Sequence, residues 1–390
     1  MQSFTTLSRI IVTCSNRLSL YLQQEIIELG FKPVRLFKTG VELQGSLLDC
    51  IRLNLNLRCA SQVLFSLKEF RANNATDVYN NLVEFEWEEI IVADGYFSIS
   101  SNVSNETITN NLFANVKVKD AIADRFRNKT GGRPNSGPEL NGVVVHLYWK
   151  EDLAEIFIDT SGETLSKHGY RKIPGKAPML ESLAAATILA GNWNRRSPFI
   201  NPMSGSGTLA IEAAMIATNR RPGLYRNNYS FMHVCGYEEK FYEEEFSKLE
   251  KKVIDADGLK IIATDISEDA INISKINAGI AGVEELIDFT VCDFEETTII
   301  ENEAGVVYLN PEYGDRLGVE DELEKTYKRM GDFFKQKCKG YTGYIFTGNL
   351  ELAKKIGLKP KRRIEFYTSK IDCRLFEYEL YAGTKLISKI

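Results

Sequence analysis

One stretch constrains this chain more than any other. Phe199-Ile200-Asn201-Pro202 reads as the end of a buried strand, Met203-Ser204-Gly205-Ser206-Gly207 as a sharp turn, and Thr208 to Ala217 as a helix rich in Ala, Leu, Ile and Met. Gly205 and Gly207 allow positive φ and a close approach of backbone to ligand. A glycine turn feeding a helix N-terminus presents free N–H groups to the polar end of a ligand. The spacing Gly205-x-Gly207-x-x-Ala210 fits the loose dinucleotide fingerprint, a weak signal alone. No strand ending in an acid lies about twenty positions on, where a nicotinamide site wants one. A phosphate loop wants Gly-Lys-Ser/Thr, and Thr208 follows Gly207 without a Lys. A turn that only packs strand on helix is the plain alternative.

From Ser182 onward short apolar strands alternate with helices, the pattern of a doubly wound α/β sheet. Lys260 to Asp265 is a strand ending in an acid, followed by the helix Glu268 to Ala281. Asp288 to Phe294 is another strand with an acid near its end. The apolar run Gly305 to Leu309 leads into Asn310-Pro311-Glu312-Tyr313-Gly314. A long helix, 321–337, a strand, 341–346, and a C-terminal hairpin complete the half. Ligands in such sheets bind beyond the carboxyl ends of the strands. Asn201, Asp265, Asp293 and Asn310 all fall at predicted strand C-termini, more than the ordinary preference of Asp and Asn for strand ends accounts for.

Residues 1–70 follow the order β-α-β-β-α-β, which suggests a small split α+β module. Residues 71–163 add helices over 75–89 and 110–127 and strands over 96–100, 143–149 and 154–159. His146 alternates with apolar residues in a strand and reads as structural. Lys117, Lys119, Arg125, Arg127, Lys129 and Arg133 form a basic cluster against Asp120 and Asp124. Charge alone leaves it open between a solvated helix face and contact with nucleic-acid phosphates. Residues 219–257 read as an insertion. Its Arg220, Arg221, Arg226, Tyr225 and Tyr229 either touch RNA by charge and stacking or pack as a loop over a sheet edge.

At 390 residues the chain suits two or three domains, and its net charge of −5 excludes a chain basic throughout without excluding a local basic patch. None of the seven Cys forms Cys-x-x-Cys and the three His form no His-Glu-x-x-His, so neither a disulfide framework nor a metal site is expected. No run of about eighteen apolar residues suggests a membrane span, and no secretory leader is visible. A reducing, cytoplasmic setting is expected.

Asn-Pro-x-Ser-Gly-Ser-Gly-Thr (201–208) followed by Asn-Pro-x-Tyr-Gly (310–314) resembles the class I methyltransferases that use S-adenosylmethionine to methylate exocyclic amino groups of bases. Val118 to Arg127, with Asp159-Thr160-Ser161-Gly162-Glu163, is similar to the THUMP domain, an RNA-binding module. Leu165 to Arg171 resembles the segment joining THUMP to methyltransferase in bacterial 23S ribosomal RNA guanine-N2 methyltransferases, whose relatives are often labelled N6-adenine-specific DNA methylases. The resemblance implies a ferredoxin-like module over 1–70, THUMP over 71–163 and a Rossmann-like methyltransferase over 164–390. It implies S-adenosylmethionine as cofactor, with Asn201, Met203 and the turn Ser204, Gly205, Ser206, Gly207 beside the amino-acid moiety. Asp265 takes the ribose hydroxyls, with Ile266 next to it, and Asp293 the adenine amino group, with Phe294 nearby. The Lys176-Ala177-Pro178 turn borders the same pocket. Asn310 and the Pro311 carbonyl accept from the target amine, and Tyr313 stacks on the base. The basic cluster contacts RNA, expected to be ribosomal, with no metal and no membrane, the oligomeric state being left open. Two departures stand out: Glu312 replaces a Pro of the family pattern, and His168 an Arg. An adenine-N6 DNA methyltransferase, or an RNA-binding protein with an inactive catalytic half, are the rival readings.

Overall fold

The computed structural model describes residues 4–106, 110–175, 178–312, 320–368 and 371–381. The chain divides into two compact units. The first comprises Met1–Ser15, Leu22–Ser166 and Pro222–Lys251, the second Asn16–Tyr21, Lys167–Arg221 and Lys252–Ile390. The expected methyltransferase region, 164–390, is thus interrupted: Pro222–Lys251 folds with the first unit.

In chain order the first half carries β1 (Ser8–Thr13), α1 (Ser19–Glu28), β2 (Pro33–Phe37), β3 (Gly40–Gly45), α2 (Leu47–Asn56), β4 (Gln62–Arg71), α3 (Ala75–Val83), β5 (Tyr96–Ser104), α4 (Asn111–Thr130), β6 (Asn135–Ser136), β7 (Val143–Lys150) and β8 (Leu153–Asp159). The β-α-β-β-α-β order expected of residues 1–70 is present. The module is not a separate sheet, however. All eight strands form one, in the order β2-β3-β1-β4-β8-β7-β5-β6. The long β4 pairs antiparallel with β1 on one side and with β8 on the other. Alternation along β1 buries Ile10 and Val12, and along β3 Val41 and Leu43. Ser46 and Asp49 close a capping box at the start of α2. The expected helix 75–89 stops at Val83, and the indole of the buried Trp87 donates to the Leu82 carbonyl at 2.7 Å instead of continuing the spiral.

The inserted segment carries α7 (Glu239–Lys251), which packs on α2. Arg226 donates to the carbonyls of Ser161, Glu163 and Thr164 and lies 4.8 Å from the ring centre of Tyr229, itself fully buried. Both side chains are spent inside this unit, so the packed-loop alternative holds for them.

The basic cluster divides in the same way. Arg127, Lys129 and Arg133 are exposed and Lys117 and Lys119 half-buried, with Lys117 near the ring of Phe113 and Arg127 paired with Asp124. Arg125 is 8% exposed and does not belong to an RNA-facing surface. It makes a bidentate pair with Glu88, Nε to Oε2 at 3.0 Å and Nη2 to Oε1 at 2.6 Å, and donates to the Glu84 carbonyl. The guanidinium holds the Glu88 carboxyl below its ordinary range.

The second unit carries α5 (Glu181–Ala190), β9 (Phe199–Pro202), α6 (Thr208–Ala217), β10 (Ile261–Asp265), α8 (Glu268–Ile280), β11 (Ile287–Val291), β12 (Val306–Leu309), α9 (Glu320–Gln336), β13 (Thr342–Thr347), α10 (Leu350–Lys354), β14 (Arg362–Thr368) and β15 (Ile371–Glu379). The sheet order is β11-β10-β9-β12-β13-β15-β14. The first five strands are parallel, and β15 runs antiparallel between β13 and β14. The chain steps outward from β9 to β11, then returns to β12 on the other flank of β9. That reversal opens a crevice beyond the carboxyl ends of β9 and β12. One face of the sheet is sealed by Ile200, Val307, Leu309 and Ile345 packed with Met330, Phe333 and Phe334 of α9.

Arg125→Ala is expected to lower stability by about 1–3 kcal/mol, because it strands a half-buried carboxylate. Arg127→Ala should stay within ~0.5 kcal/mol, as exposed i,i+3 pairs contribute little. Urea denaturation of both variants checks this, and equal midpoints would return Arg125 to the surface cluster.

Candidate active site

The turn after β9 is built from backbone that few residues adopt. Met203, Gly205 and Gly207 have φ of 58°, 56° and 79°. A side chain at 207 would meet Ser274 Cβ at 2.9 Å, so glycine is required there twice over, by φ and by space. At 205 a Cβ would meet nothing within 4 Å, leaving an open approach to the backbone. Three bonds fix the turn: Ser204 N–H to the Thr264 carbonyl, Gly205 N–H to Asp265 Oδ2, each 2.9 Å, and Ser274 Oγ–H to the Gly205 carbonyl, 2.8 Å.

Asp265 ends β10 and is half-buried, its Oδ1 accepting from Ser267 N–H at 2.9 Å. The carboxylate is therefore held in place from both sides. Ile266 beside it is 74% exposed. Asn201 is fully buried. Its Nδ2 donates to the Tyr308 carbonyl at 2.9 Å, tying β9 to β12, while its buried Oδ1 has no partner among the described residues.

Asp293 lies just past β11. Its Oδ1 accepts from Glu295 N–H at 3.0 Å and from Arg329 Nη2 at 2.7 Å. Burial pushes its carboxyl up, but the Glu295 amide and the Arg329 guanidinium outweigh this and leave it below its ordinary value. Phe294 does not lie open beside it. The ring is 5% exposed, edge-on to Phe333 and covered by Arg329 at 4.8 Å, so it packs into the core.

Asn310 follows β12 directly and is half-buried, Pro311 is buried and Glu312 exposed. The Glu312 carbonyl faces the Tyr327 hydroxyl at 3.5 Å, and that hydroxyl is 2.8 Å from Thr347 Oγ1. Tyr313, Lys176 and Ala177 lie outside the described residues. The sheet thus brings Asn201, the glycine turn, Asp265 and Asn310 to adjoining strand ends, with Asp293 one strand farther out.

A buried polar group supports the turn from below, and the sequence reading missed most of it. His168, fully buried, has Nδ1 2.7 Å from Glu212 Oε1 on α6. Arg171 donates to Glu181 Oε2 and the Met179 carbonyl, both at 2.7 Å, and to Thr208 Oγ1 at 3.2 Å. Asn277 on α8 accepts from Lys172 and Ile173 N–H and donates to the Ile173 carbonyl. Buried acids on two Ala-rich helices, Glu181 on α5 and Glu212 on α6, were the available signal, since such carboxylates need partners. Among the described residues no group of three or more His, Cys, Asp or Glu could hold a metal ion, and no helix is long and apolar enough to cross a membrane.

Residues 168–377 match the family described as "RMKL-like, methyltransferase domain". The chain belongs to the RMKL-like methyltransferase domain family. Residues 9–64 match the RlmL ferredoxin-like domain and 72–159 the THUMP domain. A ribosomal RNA large subunit methyltransferase K/L from Syntrophotalea carbinolica is 33% identical over 374 residues, 92% of this chain and 52% of the relative. The chain spans about half the length of the curated relatives it matches. A solved structure of a predicted N6-adenine-specific DNA methylase from Listeria monocytogenes is 28% identical, with a TM-score of 0.86 over 97% of each chain. A protein solved with SAH (S-adenosylhomocysteine) superposes with a TM-score of 0.86 over 97% of this chain and 99% of that one, at 24% identity.

Within the RMKL-like family, the departure at His168 has a local account: the imidazole keeps a partner in Glu212, so the buried acid is not orphaned.

Gly205→Ala should cost about 1 kcal/mol, the strain of a left-handed alanine alone. Gly207→Ala should cost about 3 kcal/mol, because the clash with Ser274 adds to that strain. Thermal denaturation of the two single variants tests the difference, and equal losses would remove the Ser274 contact from the account.

Proposed function

We propose that this chain is an S-adenosylmethionine-dependent RNA methyltransferase acting on an exocyclic base amine, guanine N2 of large-subunit ribosomal RNA being the target, in the cytoplasm. The observation that carries the reading is the Asp265-anchored glycine turn and the Asn310-Pro311 segment at the ends of β10, β9 and β12, beside the reversal of strand order. The name of the K/L relative and the SAH in the superposed structure support the same reading.

The residues present fit the cofactor. Open space over Gly205 admits the amino-acid end, and the unpartnered Asn201 Oδ1 is a buried acceptor near the same strand end. Asp265, held by two backbone N–H groups, keeps lone pairs for ribose hydroxyls. Asp293, kept ionised, is an acceptor for the adenine amino group. When bound, S-adenosylmethionine supplies an electrophilic methyl on a sulfonium. The protein's task is then to make a poor nucleophile approach in line. The lone pair of a guanine amine is delocalised into the ring. Acceptors on its N–H bonds, the Asn310 side-chain oxygen and the Pro311 carbonyl, fix its approach and favour the tetrahedral nitrogen of the transition state. Glu312 is exposed and unconstrained in φ by a ring, so its carboxylate can accept from guanine N1–H and N2–H together. Adenine has an acceptor at N1 and cannot make that pair. Lys117, Lys119, Arg127, Lys129 and Arg133 remain the RNA-facing cations of the THUMP region.

Asp265→Asn should weaken S-adenosylmethionine binding by a factor of ~10–100, the worth of a charged hydrogen bond. Asn310→Ala should leave that affinity within about twofold while lowering the single-turnover rate by ~10² or more. Calorimetry and methyl transfer to in-vitro-transcribed large-subunit RNA measure both, and a reversal of the two effects would exchange the assigned roles.

Glu312→Pro should keep activity but reduce preference for guanine over adenine, read as the ratio of single-turnover rates on matched oligomers. An unchanged ratio would make Glu312 a bystander.

A further inference from the structure

Between Lys335 and Arg363 the chain carries nine Lys or Arg and one acid, Glu351, although its net charge is −5. The fold concentrates these cations further. Gly331 of α9 sits so close to Ile356 that a Cβ would fall 1.9 Å from its carbonyl oxygen, and Lys335 Nζ lies 3.5 Å from the corresponding point of Gly357. Gly340 N–H donates to the Leu380 carbonyl and Lys361 N–H to the Glu377 carbonyl, both at 2.7 Å. The end of α9, the turn after α10 and the start of β14 therefore meet at one edge of the second unit. That edge is the amino-terminal end of β12 and β13, where Val306 pairs with Thr342 and Thr342 with Glu379.

Several of these cations are matched locally: Lys335 by Asp332, Lys355 by Glu324, Arg362 by Glu377. Lys337, Lys339, Lys359 and Arg363 are exposed and make no ion pair among the described residues. Four exposed, unmatched positive charges at one edge of an acidic chain raise the local potential toward a polyanion. Exposed large apolar side chains are nearly absent from this stretch, Leu350 being the one it holds, so a membrane surface has nothing to receive. One exposed ring, Tyr381 (44%), adjoins them just past Leu380, so the four cations make phosphate contact the larger part and stacking the smaller.

Asn310 stands at the opposite end of β12, ~15 Å away at the rise of a strand, so these cations do not touch the reacting base. We infer that this edge is an RNA phosphate-docking surface, which holds the backbone flanking the target nucleotide. The inference rests on the chain being an RNA methyltransferase and adds a second contact region to the THUMP cations. Its contacts are sequence-independent and strongly salt-dependent.

The test is binding of in-vitro-transcribed large-subunit ribosomal RNA by full-length wild type, by Lys337→Glu/Lys339→Glu/Lys359→Glu, and by the milder Lys337→Gln/Lys339→Gln/Lys359→Gln. The reversal variant should bind at least ~10-fold more weakly in low salt, with a salt slope shallower by about 2, and the neutral variant should fall between. S-adenosylmethionine affinity and the single-turnover rate at saturating RNA should match wild type in both. RNA affinity and slope equal to wild type in both variants, with methylation intact, would overturn the docking surface and leave the proposed function standing. Absence of RNA binding and methylation by wild type would overturn both. If the reversal variant also loses cofactor affinity, the neutral variant decides alone, since it removes the positive charges without introducing negative ones.

Discussion

The Gly205 N–H bond to the Asp265 carboxylate is the contact on which the crevice of the second unit depends. It spans two neighbouring strands and costs the turn its flexibility, because the same carboxylate is also held by Ser267 N–H. A glycine turn alone would be free to sample many conformations. Anchored to the end of β10, and braced by Ser274 from α8, it holds positive φ at three of five residues. The constraint works in both directions, since the turn also fixes which way the Asp265 oxygens face. Preorganisation of this kind lowers the ordering cost that binding would otherwise carry.

How much of this was visible in the sequence depended on whether the signal was local. Strand ends, the glycine turn and the Asn310 segment are local, and the structure places them together because doubly wound topology leaves little choice. Arg125 was misread although the signal was present. Val118, Ala121, Ile122 and Arg125 repeat at helical spacing and all four are buried, so the arginine belongs to the apolar stripe of α4 and not to its charged face. Phe294 follows Asp293, but neighbours in sequence after a strand point in different directions, and its direction is set by Phe333, thirty-nine residues on.

Other features had no local signature at all. Nothing in residues 222–251 indicates that the segment folds with the amino-terminal unit, because the partner surface of α7 lies on α2. Nor does an α+β order predict that its sheet will continue into the next module. That continuation comes from β4, whose ten residues are long enough to pair on both sides, with β1 over its first part and with β8 over most of its length. An edge strand of a small sheet is a liability unless covered, and here the edge is paired.

The helix after the Asn310-Pro311 segment links the two sides of the crevice. Tyr327 on α9 bridges the Glu312 carbonyl and Thr347, while Arg329, two residues on, grips Asp293 and Glu295. The strand leading to Asn310 and the loop following β11 are three strands apart in the sheet, too far for direct contact. Only an element crossing the sheet face can relate them. α9 does so with a rigid spiral whose buried side, Met330, Phe333 and Phe334, is fixed by the core. Because interiors are close-packed, such a helix shifts as a body and does not bend residue by residue. One rigid element thus carries both contacts, Arg329 to Asp293 and Tyr327 to the Glu312 carbonyl.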